Sequence, residues 1–274
     1  MAKSFIPKRS IFELTVPYRT QNKDLLLYWE RVRSIDDSIL ELSTKRHYSA
    51  RLDESLFESQ DNDEIILCLN YDGLYGINNI NKFLQSSNPN PSTTWGIHTY
   101  KIGDPILFND NDRFKPVLFN NLKGRIVAVD AEEDKIYFDL EVDTVLNEFD
   151  TMFREIDLMD NSENGNSIIR IYMNKYASTD EDESSNKTIV PFQVAYAVSI
   201  HKAQGLEYNS VKLVLTQEVD EMITHNIFYT AVTRARKSLK VYWTPESEQK
   251  ILSNLEIKAN RRDVHLLKDK YNLN

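Results

Sequence analysis

The sequence predicts an α/β fold: a parallel sheet flanked by helices and interrupted by a small antiparallel β-module. Three observations carry this. Residues 64–69 (Glu-Ile-Ile-Leu-Cys-Leu) form a nearly unbroken apolar run of strand length, the pattern of a parallel strand covered on both faces. After Val194, apolar strand runs again alternate with a helical pattern. Between these stretches, from Tyr100 to about Tyr176, the pattern is short strands separated by turn signals.

In chain order, Ser10 to Pro17 reads as a short strand (Ile11, Leu14, Val16) ended by proline. A helix follows, with Thr20 as N-cap and Leu25, Leu26, Trp29 and Val32 as its apolar stripe. The strand at 64–69 leads to a short helix from Gly76 to Gln85, and residues 86–94 are a linker by composition. Strands are expected at Pro105–Phe108, Gly124–Val129, Lys135–Val142 and Ile168–Tyr172, with Asn164-Gly165 as a hairpin turn before the last. The polar, acidic stretch from Ser178 to Lys187 reads as a mobile loop. The α/β pattern resumes with strands at Val194–Ser199 and Val211–Leu215, a helix from about Glu221 to Lys237, and a strand at Leu239–Trp243. The expected organisation is a discontinuous α/β domain (1–95 and 188–250), an inserted β-module (96–187) and a tail (251–274). In that tail Lys258, Arg261, Arg262, Lys268 and Lys270 interleave with acids as a solvated face.

Composition narrows the function classes. Over 274 residues, 33 Lys+Arg stand against 42 Asp+Glu, a net charge of -9, so bulk charge does not hold this chain to nucleic acid and any polyanion must meet a local basic patch. A single cysteine, Cys68, excludes an internal disulfide framework and suits a reducing, cytoplasmic setting. No apolar run approaches the roughly 20 residues that span a bilayer, and the N-terminus has no signal-peptide core, so no membrane partner is expected. The histidines at 47, 98, 201, 225 and 265 have no metal-ligand spacing, and no structural metal is expected.

Three segments carry chemistry. In Ser199-Ile200-His201-Lys202-Ala203-Gln204-Gly205-Leu206-Glu207 a strand ends and turns through a glycine. Such strand-end loops bind ligands in open α/β sheets, Gly205 permits close backbone approach to a phosphate and Lys202 supplies charge; a solvated turn is the alternative. In the second, Ile223, Ile227, Phe228, Ala231, Val232 and Ala235 share a helix face, and Arg234 falls within that apolar stripe. A guanidinium there demands an anion, either a ligand phosphate or a structural carboxylate. The third is Tyr18-Arg19, either a base-stacking and phosphate-gripping pair or a packing tyrosine beside a surface arginine. Among smaller signals, Trp29 and Trp243 read as packing residues, Trp95 as an exposed one, and His225 as a helix-start or surface residue. Tyr100, Phe108, Phe114 and Phe119 are candidates for base stacking, and Asn70 and Asn78 for backbone contacts.

Together, Val16-Pro17-Tyr18-Arg19-Thr20, Ala197 to Glu207, and Tyr229-Thr230-Ala231-Val232-Thr233-Arg234-Ala235-Arg236 resemble motifs IV, V and VI of superfamily 1 helicases of the UvrD/RecD-like kind. Tyr100-Lys101-Ile102-Gly103-Asp104 and Phe119 to Gly124 are similar to the small β-barrel inserted in RecD-type enzymes. The resemblance covers about residues 10 to 243 and implies a second RecA-like domain. It implies that Tyr18 faces adenine, Arg19 the γ-phosphate, Gln204 and Gly205 the phosphate side, and Glu207 the ribose hydroxyls, with Arg234 as arginine finger. It places Ser199, His201 and, less directly, Lys202 against single-stranded DNA. Ser199 departs from the usual threonine but keeps a hydroxyl, and Asn121 stands where the barrel motif has glycine, which puts that turn in question.

None of the seven glycines is followed by lysine, so the phosphate-cradling G-x-x-x-x-G-K-[S/T] loop does not occur in this sequence. Val127 to Glu133 imitates a Walker B strand but falls inside the β-insert. The expectation is therefore the C-terminal motor half of an ATP-dependent DNA helicase, using ATP and Mg²⁺, inactive alone, with the metal ligands on a first RecA-like domain that would precede residue 1 or act in trans. The alternative is a non-catalytic nucleic-acid-binding or scaffolding module derived from a helicase.

Overall fold

The computed structural model describes residues 18–109, 112–152, 154–163, 165–176, 187–219 and 222–256. The strand expected at 10–17, nearly all of the acidic loop and the basic tail from Lys258 lie outside the described residues. The chain divides into two compact units, residues 1–52 with 207–274, and residues 53–206.

In the first unit, three strands run parallel: β1 (Ser49–Arg51) pairs with β13 (Ala235–Trp243), which pairs with β12 (Tyr208–Val214). Four helices accompany them: α1 (Lys23–Ser34), α2 (Ile39–Lys45), α5 (His225–Val232) and α6 (Pro245–Ser253). α1 buries Leu25, Tyr28, Trp29 and Val32, so Tyr28 joins the expected stripe and Leu26 sits only partly inside. Its cap is Asn22, whose side chain accepts the Asp24 and Leu25 N–H groups. Thr20 is not the cap; its hydroxyl turns away to the carbonyl of Arg236 (2.5 Å). Phe228 of α5 stacks on Trp243 of β13 at 6.0 Å between centroids. His225 starts α5, and its ring Nε2 lies 2.8 Å from the Val32 carbonyl.

The late helix is shorter than its apolar periodicity implied. It ends at Val232, because the Thr233 hydroxyl donates back to Tyr229 and Thr230 carbonyls (2.8 and 3.1 Å), and Ala235 already pairs with Tyr208 in the parallel ladder. Arg234 therefore lies in the turn between α5 and β13, not on a helix face, yet it is buried with 8% exposure. The boundary expected at 250 falls inside α6.

In the second unit, β2 (Glu64–Cys68) and β11 (Ala197–Ser199) are parallel neighbours, with Ile66 opposite Ala197 and Cys68 opposite Ser199. α3 (Ile77–Ser87) connects with them, and the Asn81 amide both donates to and accepts from the main chain of Ala197 (2.8 and 2.9 Å). Everything between α3 and β11 is an insert whose two ends return to one α/β core. The expected strand at 194–199 is two strands, because the chain changes sheets at Ala195-Tyr196. β10 (Phe192–Val194) pairs antiparallel with β5 (Pro105–Phe108), and β11 pairs parallel with β2.

The insert is a six-stranded antiparallel sheet in the order β10, β5, β6 (Lys123–Ala131), β7 (Lys135–Val142), β9 (Ser167–Asn174) and β8 (Asp157–Asn161). A hairpin of β3 (Ser92–Trp95) and β4 (His98–Lys101) precedes it, so the linker expected over 86–94 is largely the end of α3 and the start of β3. Tyr100, Phe108, Phe114, Phe138 and Phe192 fill one core with the aliphatic faces of β6, β7 and β9, and Trp95 packs against it. Tyr100, Phe108 and Phe114 are thus core residues and not stacking platforms; Phe119 alone of the four is half exposed. Asp130 lies within β6 opposite Tyr137, so the Walker B imitation is part of a hairpin ladder. Asn121 takes a left-handed φ of 66°, a conformation asparagine tolerates and glycine prefers, so asparagine can keep the turn for which the resemblance implies glycine.

The Gly103-Asp104 pair fixes the insert to its base. Gly103 turns with φ 88°, and the fully buried Asp104 carboxylate accepts from the Lys101 N–H (2.9 Å), Gln85 (2.5 Å), Asn88 (2.9 Å) and the Tyr196 hydroxyl (2.8 Å). Burial and the neighbouring Asp104 charge push the Tyr196 hydroxyl well above its ordinary value. No described helix is long and apolar enough to cross a membrane.

Candidate functional site

In the first unit, three of the expected residues meet at the end of α5. The Arg19 guanidinium donates through Nε to Glu207 Oε1 (2.7 Å) and through Nη1 to the Thr233 carbonyl (2.9 Å). Arg234 donates through Nε to the Thr230 carbonyl (2.9 Å) and through Nη2 to the Thr233 hydroxyl (3.3 Å). Helix-end carbonyls carry partial negative charge, so both cations also suit the α5 C-terminus. Burial, and next the Arg19 charge, press the Arg234 guanidinium below its ordinary value, while Glu207 pulls the other way. Arg19, which pairs with Glu207, and Arg234 thus come together at the end of α5, and guanidinium forks of this kind suit phosphate oxygens. This donor set fits a polyphosphate. Tyr18, the fourth expected residue, projects with 91% exposure beside Arg19.

In the second unit, β11 ends in a tight turn: Ala203 N–H reaches the Ser199 carbonyl, Gln204 N–H the His201 carbonyl and Leu206 N–H the Ala203 carbonyl (3.0–3.2 Å). The buried Ser199 hydroxyl accepts the Lys202 N–H at 3.2 Å, so it caps this turn. Lys202 sends its ammonium to Gln193 Oε1 (2.6 Å). His201, Gln204 and Gly205 are exposed, and Gly205 holds φ 91° with nothing within 4 Å of where a Cβ would stand. The glycine is therefore required by backbone conformation, and it leaves the turn's main chain open to a ligand. Asn70 and Asn78 both bond Asp72, closing the loop before α3. Among the described residues no group of three His, Cys, Asp or Glu could hold a metal ion. Sequence reasoning missed Trp29, whose indole N–H donates to the Val232 carbonyl (3.1 Å), and the true partner of Thr20; neither bond leaves a sequence signal, because the acceptors are main-chain carbonyls.

Fold and site define a class: an α/β fold with parallel strands and an antiparallel insert, with Arg19 and Arg234 meeting at the end of the late helix. Residues 194–242 match the UvrD-like helicase C-terminal domain. The chain is 25% identical to the RecBCD enzyme subunit RecD of Buchnera aphidicola (Acyrthosiphon pisum) over 213 residues, 76% of this chain and 28% of that protein. It is 27% identical to the ATP-dependent DNA helicase Pif1 of Campylobacter jejuni over 257 residues, 85% of this chain and 53% of that protein. Among solved structures, Bacteroides Pif1 bound to ssDNA superposes with a TM-score of 0.56 at 14% identity, covering 96% of this chain and 57% of that one. These matches support a superfamily 1 helicase second domain, and the chain spans about half, or less, of the length of the relatives it matches.

Proposed function

We propose that this chain is the second-lobe half of an ATP-dependent DNA helicase or translocase. The observation that carries the reading is the meeting of Arg19, paired to Glu207, with Arg234 at the turn after α5. Arg234 stabilises charge that develops on a transferring phosphoryl group, and Arg19 grips the γ-phosphate. Glu207 accepts from ribose hydroxyls, and the exposed ring of Tyr18 stacks on adenine. The Gln204-Gly205 turn offers its amide and open backbone to phosphate. His201, with Ser199 and Lys202 shaping its turn, faces the single strand. ATP, when bound, supplies a phosphoryl group for transfer to water, a step that an arginine finger accelerates by about 10³–10⁵. The Walker loops and the Mg²⁺ ligands are assigned to a first RecA-like domain, in the same polypeptide or in trans, and nucleotide-driven closure of the two lobes would move them along the strand.

The test is ATP turnover by this chain alone, with a complementing first lobe, and with Arg234→Ala. We expect no hydrolysis alone, strand-stimulated hydrolysis with the partner lobe, and a loss on the order of 10³-fold or more in the variant. Robust hydrolysis by the chain alone contradicts the reading. Strand binding indifferent to nucleotide would mark a non-catalytic nucleic-acid-binding module instead.

A further inference from the structure

We propose that Thr20 and Trp29 are positioning residues that fix the Arg19–Arg234 pair by gripping the main chain on either side of the turn that carries Arg234. The proposal rests on the reading of that pair as a phosphate clamp. Its basis is a nearly complete account of the carbonyls from Tyr229 to Lys237. A helix leaves its last carbonyls without intrahelical partners, and each must be satisfied when buried. Here Tyr229 O accepts from Thr233, Thr230 O from Thr233 and Arg234, and Ala231 O from the Arg234 N–H (3.1 Å). Val232 O accepts from the Trp29 indole (3.1 Å), Thr233 O from Arg19 (2.9 Å), and Arg234 O from the Tyr208 N–H (3.0 Å). Further on, Arg236 O accepts from the Thr20 hydroxyl (2.5 Å) and Lys237 O from the Asn22 amide (3.2 Å).

Three of these donors, Trp29, Thr20 and Asn22, are neutral side chains from outside the parallel ladder, α5 and its C-cap, and the first two lie nearest the turn. Trp29, on α1 and 6% exposed, holds the turn just before Thr233-Arg234. Thr20, also 6% exposed, holds it just after and sits next to Arg19 in the chain; its hydroxyl is itself aimed by the Asn22 N–H it accepts (3.0 Å). The two guanidinium groups repel each other, so their placement cannot be left to charge. The Glu207 pairing would yield when a phosphate competes for Arg19, whereas bonds from an indole and a hydroxyl to main chain are indifferent to that exchange. Thr20 and Trp29 therefore keep both cations in place while the anion paired with Arg19 changes.

The test uses the full chain labelled with ¹⁵N-arginine, following the exchange of the Arg19 and Arg234 Nε–H protons by NMR, with thermal unfolding of each variant alongside. Thr20→Val should speed exchange at Arg19 and Trp29→Phe, which keeps an aromatic ring but loses the N–H, should speed it at Arg234, each about two- to tenfold. Thr20→Ser should restore the native rate. Unchanged exchange at both arginines in Thr20→Val and Trp29→Phe overturns the proposal. So does an acceleration shared equally by backbone amides throughout the chain and not rescued by serine, which is general destabilisation. Inorganic tripolyphosphate added to the native chain separates the two layers: shifted Arg19 and Arg234 resonances support the clamp. Unmoved resonances together with intact variant effects sink the clamp and leave the positioning standing.

Discussion

Glu207 pairs with Arg19 and raises the proton affinity of Arg234, and its removal separates two roles in the proposed clamp. Glu207→Gln raises the local charge by one, so inorganic tripolyphosphate should bind the chain roughly three- to tenfold more tightly at low salt. ATP should gain less, because the glutamine is a poorer acceptor for ribose hydroxyls. Calorimetry with both ligands checks this, and an equal gain for each would remove ribose recognition from Glu207. A second residue-scale prediction concerns Asp104, buried completely and surrounded by four donors. Asp104→Asn turns an amide NH₂ toward two of those donors, since each oxygen accepts from two, and should cost about 1–3 kcal/mol in urea unfolding. No loss would mean that the network is not closed to water. Arg19, Glu207 and Arg234 were legible in the sequence because their order and neighbours resemble known motifs. The lacing that holds them was not, since a hydroxyl beside a helix start reads as a cap, and only the fold reveals that Asn22 takes that job and Thr20 another.

Between α1 and α2, the element scale brings a pH-dependent lock. The Ser38 hydroxyl and N–H, and after them Arg31, hold the Asp36 carboxyl down at about 2, against an ordinary 3.8. A depressed folded value means the contribution is present in full above the ordinary value and is lost as pH falls through 2. The thermal midpoints of native and Asp36→Asn protein should therefore differ at pH 6 and converge as pH approaches 2. A gap that persists at pH 2 would show that the substitution acts otherwise than through this charge. Elements with strong patterns were legible: β5 and β7 begin and end where their apolar runs or strict alternation placed them. Others lacked such a pattern. β8 is a polar edge strand, β3 and β4 hold mostly polar residues with one aromatic each around Gly96, and α5 stops inside a continuing apolar period because β13 claims Ala235. The start of α6 did carry a signal, Thr244 as cap with Pro245 behind it.

At the scale of the whole molecule, the β-module has the anatomy of a removable insert. It leaves the α/β part of the second unit after α3 and returns at β11, and the residues at its two ends converge on one group: Asn88 and Tyr196 both bond Asp104 Oδ1. The crossover between the paired parallel strands β2 and β11 would be an ordinary strand–helix–strand unit without it, closed by the Asn81 amide on Ala197. The module keeps a core of its own, from Tyr100 to Phe192, that draws on no residue of β2, α3 or β11. A large burial of aromatic and aliphatic side chains within one segment is what an independently folding unit requires. Residues 90–196 expressed alone should therefore unfold in a single cooperative transition, measured by near-ultraviolet circular dichroism in urea. The remaining chain, with 90–194 replaced by a short glycine–serine loop, should keep its own transition and its Arg19 and Arg234 Nε–H resonances, because those arginines sit in the other unit. If the excised module lacks fixed aromatic packing, its core depends on the α/β base, and Asp104 is then a keystone of folding and not merely a tether. Loss of the arginine resonances from the shortened chain would instead show that the clamp depends on the insert.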